Sequence, residues 1–103
     1  MKTLEFAPAA RAELDAAADR YEAERPGRGV RFYAAVERTA KLLVAFAAVG
    51  PEFPGVRPAL GVRRRIVRGF PFVVAYRVVG ETIRVDAVAH MHRRPGYWHR
   101  RAR

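Results

Sequence analysis

Cysteine is absent from the 103 residues. Disulfides, thiolate catalysis and cysteine-based zinc sites are excluded with it. Lysine is almost missing too: Lys2 and Lys41 are the only two, and arginine supplies the rest of the basic set. No apolar run approaches the ~20 residues that a membrane span needs. The opening Met1-Lys2-Thr3-Leu4-Glu5-Phe6 turns polar too soon for a signal peptide. Gly50, Gly55, Gly61 and Gly69 form no phosphate-binding fingerprint, so no nucleotide cofactor is expected. Internal repeats and low-complexity tracts are also missing. The expectation is a single soluble, cytoplasmic domain spanning residues 1–103, without membrane, metal or cofactor. Half of the residues are hydrophobic, enough to build one modest core rather than a disordered chain.

What is present in excess is positive charge, formally +10. Residues 1–56 carry equal numbers of basic and acidic side chains, whereas residues 57–103 hold twelve arginines against only Glu81 and Asp86. A compositional bias toward arginine explains the count but not this asymmetry. Arginine offers a planar donor fork that matches phosphates and carboxylates. The partner expected on physical grounds is therefore a nucleic acid, a ribonucleoprotein or an acidic protein.

Leu4 and Phe6 share one face of a short first strand. Pro8 opens a helix at a position where its missing N–H costs nothing. Ala10, Leu14, Ala17 and Tyr21 recur at helical spacing until Arg25-Pro26-Gly27 stops it. A second helix from about Gly29 to Ala47 carries the stripe Phe32/Tyr33, Val36, Ala40, Leu43 and Ala47. The short break between the two implies an antiparallel hairpin. After a Pro- and Gly-rich loop over residues 50–58 the period changes to two. Val62–Val67, Phe72–Val79 and Thr82–His90 read as strands, the last two joined by a two-residue turn at Gly80-Glu81. The fold class expected is α+β: an N-terminal strand, the helical hairpin, then three antiparallel strands in one sheet with the helices on one face. In that hairpin Val79 faces Thr82, Arg77 faces Arg84 and Ala75 faces Asp86. Strict alternation then turns Phe72, Val74, Tyr76, Val78, Ile83, Val85, Ala87 and Ala89 toward the helices. The opposite face receives Val73, Ala75, Arg77, Arg84, Asp86, Val88 and His90, and is mixed and basic. Opposed arginines are mildly unfavourable in a sheet. They are either neutralised by Asp86 or kept for an anionic partner, and Arg77→Ala or Arg84→Ala is expected to spare stability.

The densest chemistry lies at the end of the last strand, in residues 90–101, which contain His90, His92, Arg93, Arg94, Tyr97, Trp98 and His99. Acid–base, cationic and stacking groups together could cradle a phosphodiester. A ribonuclease without carboxylates would use His90 or Tyr97 for proton transfer and arginines such as Arg93 to stabilise the crowded phosphate. For Tyr97 and Trp98 a lid over the small core is the favoured reading. His90 and His92 share a strand face as a metal pair would, but no cysteine or nearby carboxylate completes a shell. Alternation sends Arg64 to the side opposite Arg63 and Arg65, so the Arg63-Arg64-Arg65 run serves no single face.

The whole pattern resembles the RelE/ParE toxin superfamily, and most nearly its ParE-like, plasmid-stabilisation branch. The resemblance runs through Phe6-x-Pro8-x-Ala10, Arg25-Pro26-Gly27 followed by Phe32, and the Arg63-Arg64 strand. It continues in Gly69-Phe70-Pro71-Phe72-x-Val74-x-Tyr76-Arg77-Val78 and His90-x-x-Arg93-x-Pro95-x-Tyr97-Trp98-x-x-Arg101. It implies the toxin of a type II toxin–antitoxin system, neutralised in a hetero-oligomer by a cognate acidic antitoxin. Within the superfamily two targets compete. ParE-like members poison DNA gyrase and have no established hydrolytic site; RelE-like members cut mRNA in the ribosome, with His90, Arg93 and Tyr97 as the candidate catalytic residues here. The closing motif and the scarcity of lysine place the gyrase route first and the ribosome-dependent endonuclease second. Arg63, Arg65, Arg77, Arg84, Arg93 and Arg94 are the candidate contacts to target or antitoxin.

Overall fold

Thr3–Phe6 forms strand β1, and Pro8 at the first turn begins helix α1, Pro8–Glu24. Helix α2 follows as Arg28–Phe46, and the strands β2 (Arg63–Val67), β3 (Phe72–Val79) and β4 (Thr82–His90) complete the order. The structure is a computed structural model that describes residues 2–46 and 61–92. The loop read over residues 50–58, and Arg93, Arg94, Tyr97 and Trp98, lie outside the described residues.

The four strands form one sheet in the order β1-β4-β3-β2. The last three are antiparallel, as expected, while β1 joins the outer edge of β4 in parallel and makes the sheet mixed. Both helices pack on one face. Alanines at 7, 10, 17 and 18 and Leu14 bring α1 down onto the sheet, and Phe32, Ala35, Val36 and Leu43 do so for α2. They meet Val67, Phe72, Val74, Tyr76, Ile83, Val85 and Val88 from the strands. Small residues on α1 let the two helices and the sheet approach closely. Thr39, buried on α2, donates its hydroxyl to the Ala35 carbonyl at 2.9 Å, so it brings no unpaired polar atom into the core.

Glu22 secures the helix–helix turn. Its carboxylate accepts the backbone N–H of Gly27 and of Gly29 at 3.0–3.1 Å, which satisfies orphan donors at the start of α2. Gly29 is required for a second reason: a Cβ there would come within 2.7 Å of the Ala18 carbonyl oxygen. Gly29→Ala should therefore destabilise the chain by about 1–3 kcal/mol, despite alanine's better helix propensity. A thermal melt of that variant at or above the wild-type midpoint would contradict so tight a crossing.

The β3–β4 register departs from strict alternation. Arg77 pairs with Arg84 and Val79 with Thr82, as expected, but Ala75 pairs with Ala87 and not with Asp86. Asp86 is an extra residue between the pairs Tyr76–Val85 and Ala75–Ala87. A bulge of this kind reverses the facing of everything beyond it. Val88 therefore joins the helix-packed core and His90 turns to the α1 side, while Ala87 and Ala89 go to the opposite face. Expectations for these four residues are thus inverted. Asp86 itself keeps the face expected of it, where its carboxylate meets Arg77.

Candidate functional site

Arg77 and Arg84 stand side by side on the sheet face away from the helices, as the hairpin register requires. Both already have carboxylate partners. Arg77 Nε donates to Asp86 Oδ2 at 2.6 Å and its Nη2 to Oδ1 at 2.9 Å, a two-pronged pair with a fully buried carboxylate. Arg84 Nε lies 3.7 Å from Asp86 Oδ1, and its Nη1 donates to Glu5 of β1. The hydrogen bond to Asp86 raises the Arg77 pKa further above its ordinary value, against the opposing effect of burial. Of the two readings open for the opposed arginines, neutralisation is the one realised for Arg77. The same face is less basic than alternation suggested. Val73, Ala75, Ala87 and Ala89, all buried, share it with Arg64 and Ile66 of β2.

The β2 arginines alternate as expected. Arg63 pairs with Tyr76 and Arg65 with Val74, both helix-side positions, whereas Arg64 pairs with Ala75. The candidate contacts Arg63 and Arg65 are consequently on the other side of the sheet from Arg77 and Arg84. One sheet surface does not gather all four.

His90 lines a cleft of about 500 Å³ between α1 and the sheet. Glu13, Arg20, Tyr21, Glu24 and Phe72 share its wall. The His90 ring meets the Phe72 ring edge-on, with centroids 5.2 Å apart, and its Nδ1 accepts the backbone N–H of His92 at 3.1 Å. Glu13 accepts the Val88 backbone N–H at 3.1 Å, which satisfies a β4 donor beyond the end of β1. Burial pushes the Tyr21 phenol up, so that it gives up its proton less readily than a free tyrosine. Among the described residues no group of three or more metal-ligating side chains comes together. Nor is any described helix long and apolar enough to cross a membrane.

One grouping went unnoticed in the sequence. Arg25, Arg28, Arg31, Arg38 and Arg68 line a second cleft of about 460 Å³, with Ala34, Gly69 and Phe70. The Arg28 guanidinium lies 4.8 Å from the centroid of the Tyr21 ring and 5.9 Å from that of Phe70. The signal was in the sequence. Residues 28, 31, 34 and 38 fall on one helical face, but the charge balance of residues 1–56 hides them behind acids that belong to α1.

A family model described as the ParE toxin of type II toxin–antitoxin system, parDE, matches residues 4–95. The chain belongs to the ParE toxin family. Among solved structures, the chromosomal ParDE TA system from P. aeruginosa is similar at 27% sequence identity with a TM-score of 0.75. That likeness covers 87% of this chain and 96% of the other. No curated protein matches. As a ParE-family chain it is a type II toxin by class, and the N-terminal strand, helical hairpin and closing hairpin described above are the features the resemblance implied.

Proposed function

We propose that this ParE-family chain arrests growth by poisoning DNA gyrase, without hydrolysing a phosphodiester itself, and that a cognate acidic antitoxin neutralises it as a hetero-oligomer. The observation that favours this route over a ribosome-dependent endonuclease is the bulge at Asp86. It turns His90 toward α1 while Arg77 and Arg84 stay on the far face, each tied to a carboxylate. The sheet thereby separates a general base at His90 from these two cations, and Arg20, the described arginine that shares the His90 cleft, stands there with Glu13 and Glu24. Arg93 and Tyr97, the other candidates for an endonuclease, lie outside the described residues. The antitoxin reading rests on the family and on the charge of +10, which an acidic partner would offset.

Induced expression of the chain alone, with pulse labelling of DNA and protein synthesis, tests the proposal. DNA synthesis is expected to stop first, and purified toxin with gyrase should leave cleaved DNA after protein denaturation. His90→Ala should be as toxic as the wild type. Early arrest of translation with cut mRNA, abolished by His90→Ala, would replace the gyrase reading with the endonuclease.

A further inference from the structure

The second cleft concentrates charge that nothing nearby neutralises. Five arginines from three parts of the fold converge on it: Arg25 after α1, Arg28, Arg31 and Arg38 on α2, and Arg68 in the β2–β3 turn. No described carboxylate forms an ion pair with any of the five. Other cations show the contrast, since Arg11, Lys41, Arg77 and Arg84 each sit within 4.0 Å of an acid. Holding five like charges around one concavity costs Coulomb energy unless an anion enters. Glu24 adjoins Arg25 in sequence but lines the first cleft, and Glu22 is committed to the backbone of Gly27 and Gly29.

The geometry points to a particular anion. Arg31 and Arg38 are two helical turns apart, about 10 Å along the axis, with Ala34 between them leaving the floor low. Two cations at that interval can each reach a different phosphate of a nucleic-acid backbone. Apart from Ala34, Gly69 and Phe70, the residues that line the cleft are all arginines, whereas the centre of a protein interface is depleted of charge. The aromatic rings at the cleft are already engaged. Tyr21 and Phe70 pack edge-on at 5.1 Å beneath Arg28, and Phe70 meets Phe32 at the same distance, so they do not form an open platform for an unstacked base. We propose that this arginine cleft binds the phosphate backbone of duplex DNA, independently of sequence and of any protein partner. The site is distinct from the gyrase reading and stands or falls without it.

Fluorescence anisotropy of the purified full chain with a labelled duplex of arbitrary sequence tests this. Four phosphate contacts predict that affinity falls about 10²-fold between 50 and 200 mM salt. Arg31→Ala/Arg38→Ala removes two of them, so the binding should weaken and the fall should shrink to about 10-fold. Both residues are exposed on α2 and alanine favours helix, so the variant should melt near the wild-type temperature. Lys2→Ala/Arg11→Ala removes the same charge elsewhere and should retain the wild-type salt dependence. Equal losses in the two double variants would mean that only diffuse charge is at work and would overturn the site. So would absence of DNA binding, or retention of an acidic polyglutamate probe by the same arginines with no affinity for duplex.

Discussion

Arg77→Ala should lower the unfolding free energy by about 3–5 kcal/mol, although the residue lies on the sheet face away from the helices. Asp86 is fully buried, and Arg77 donates two hydrogen bonds to it, at 2.6 and 2.9 Å. Truncating one partner of such a pair leaves a buried charge short of compensation, which costs far more than the pair contributes over an apolar replacement. Arg84, 3.7 Å from the same carboxylate, keeps part of the compensation and places the expected value toward the lower end. A small domain has only about 5–15 kcal/mol in hand, so the variant should lose a large share of it. Urea denaturation reads the effect, and Arg77→Ala/Asp86→Asn supplies the diagnostic. Exchanging the stranded carboxylate for a neutral amide should recover stability relative to Arg77→Ala alone. If Arg77→Ala unfolds at the wild-type urea concentration, the pair is not what holds the bulge. Arg84→Ala should cost about 1 kcal/mol or less, because its Glu5 partner is more than half exposed.

The second large effect is expected at Phe32. Its ring is fully buried among Tyr21, Phe70 and Phe72, at centroid distances of 5.2, 5.1 and 5.0 Å. These contacts join both helices to the β2–β3 turn and to the start of β3. Phe32→Ala removes the ring at the centre of that cluster, and the surrounding elements are too constrained to close the cavity. The expected loss is about 3–5 kcal/mol, including the tilted and edge-on ring contacts that area alone does not count. The denaturant midpoint should fall with an unchanged slope, and the near-ultraviolet circular dichroism of the aromatic cluster should weaken. A loss under about 1 kcal/mol would mean that the hairpin repacks freely over the sheet. Because Phe70 floors the arginine cleft, the same substitution should also loosen Arg28 and Arg68 there.

These two residues differ in how legible they were. Phe32 announced itself: it follows a helix-stopping Arg25-Pro26-Gly27 and begins a stripe that includes Val36 and Leu43, all three of them buried. Element order, the helical hairpin and the three antiparallel strands follow from hydrophobic period and from turn residues, which are local properties of the chain. So does the two-residue turn in which Gly80 takes φ 59°. Family membership was equally legible, since its motifs extend over most of the chain. Arg77 was legible only as one of two opposed arginines, with no means to choose between neutralisation and display.

The remainder depended on tertiary structure. A bulge shifts facing by one residue, and nothing in Val85-Asp86-Ala87 distinguishes an extra residue from a regular one until Arg77 is seen to receive the carboxylate. That one residue decided the side on which His90 lies. The parallel pairing of β1 with β4 joins segments some 80 positions apart, beyond the reach of any periodicity. The arginine cleft needed the same long-range closure, because Arg68 reaches Arg28 and Arg31 only when the β2–β3 turn folds against α2. Sequence by itself determined the elements, the apolar stripes and the excess of arginine, because each is set within a turn or two of chain. Which charges were paired and which left open was decided only when distant segments met, because Coulomb interactions in a folded chain depend on distance and burial rather than on order.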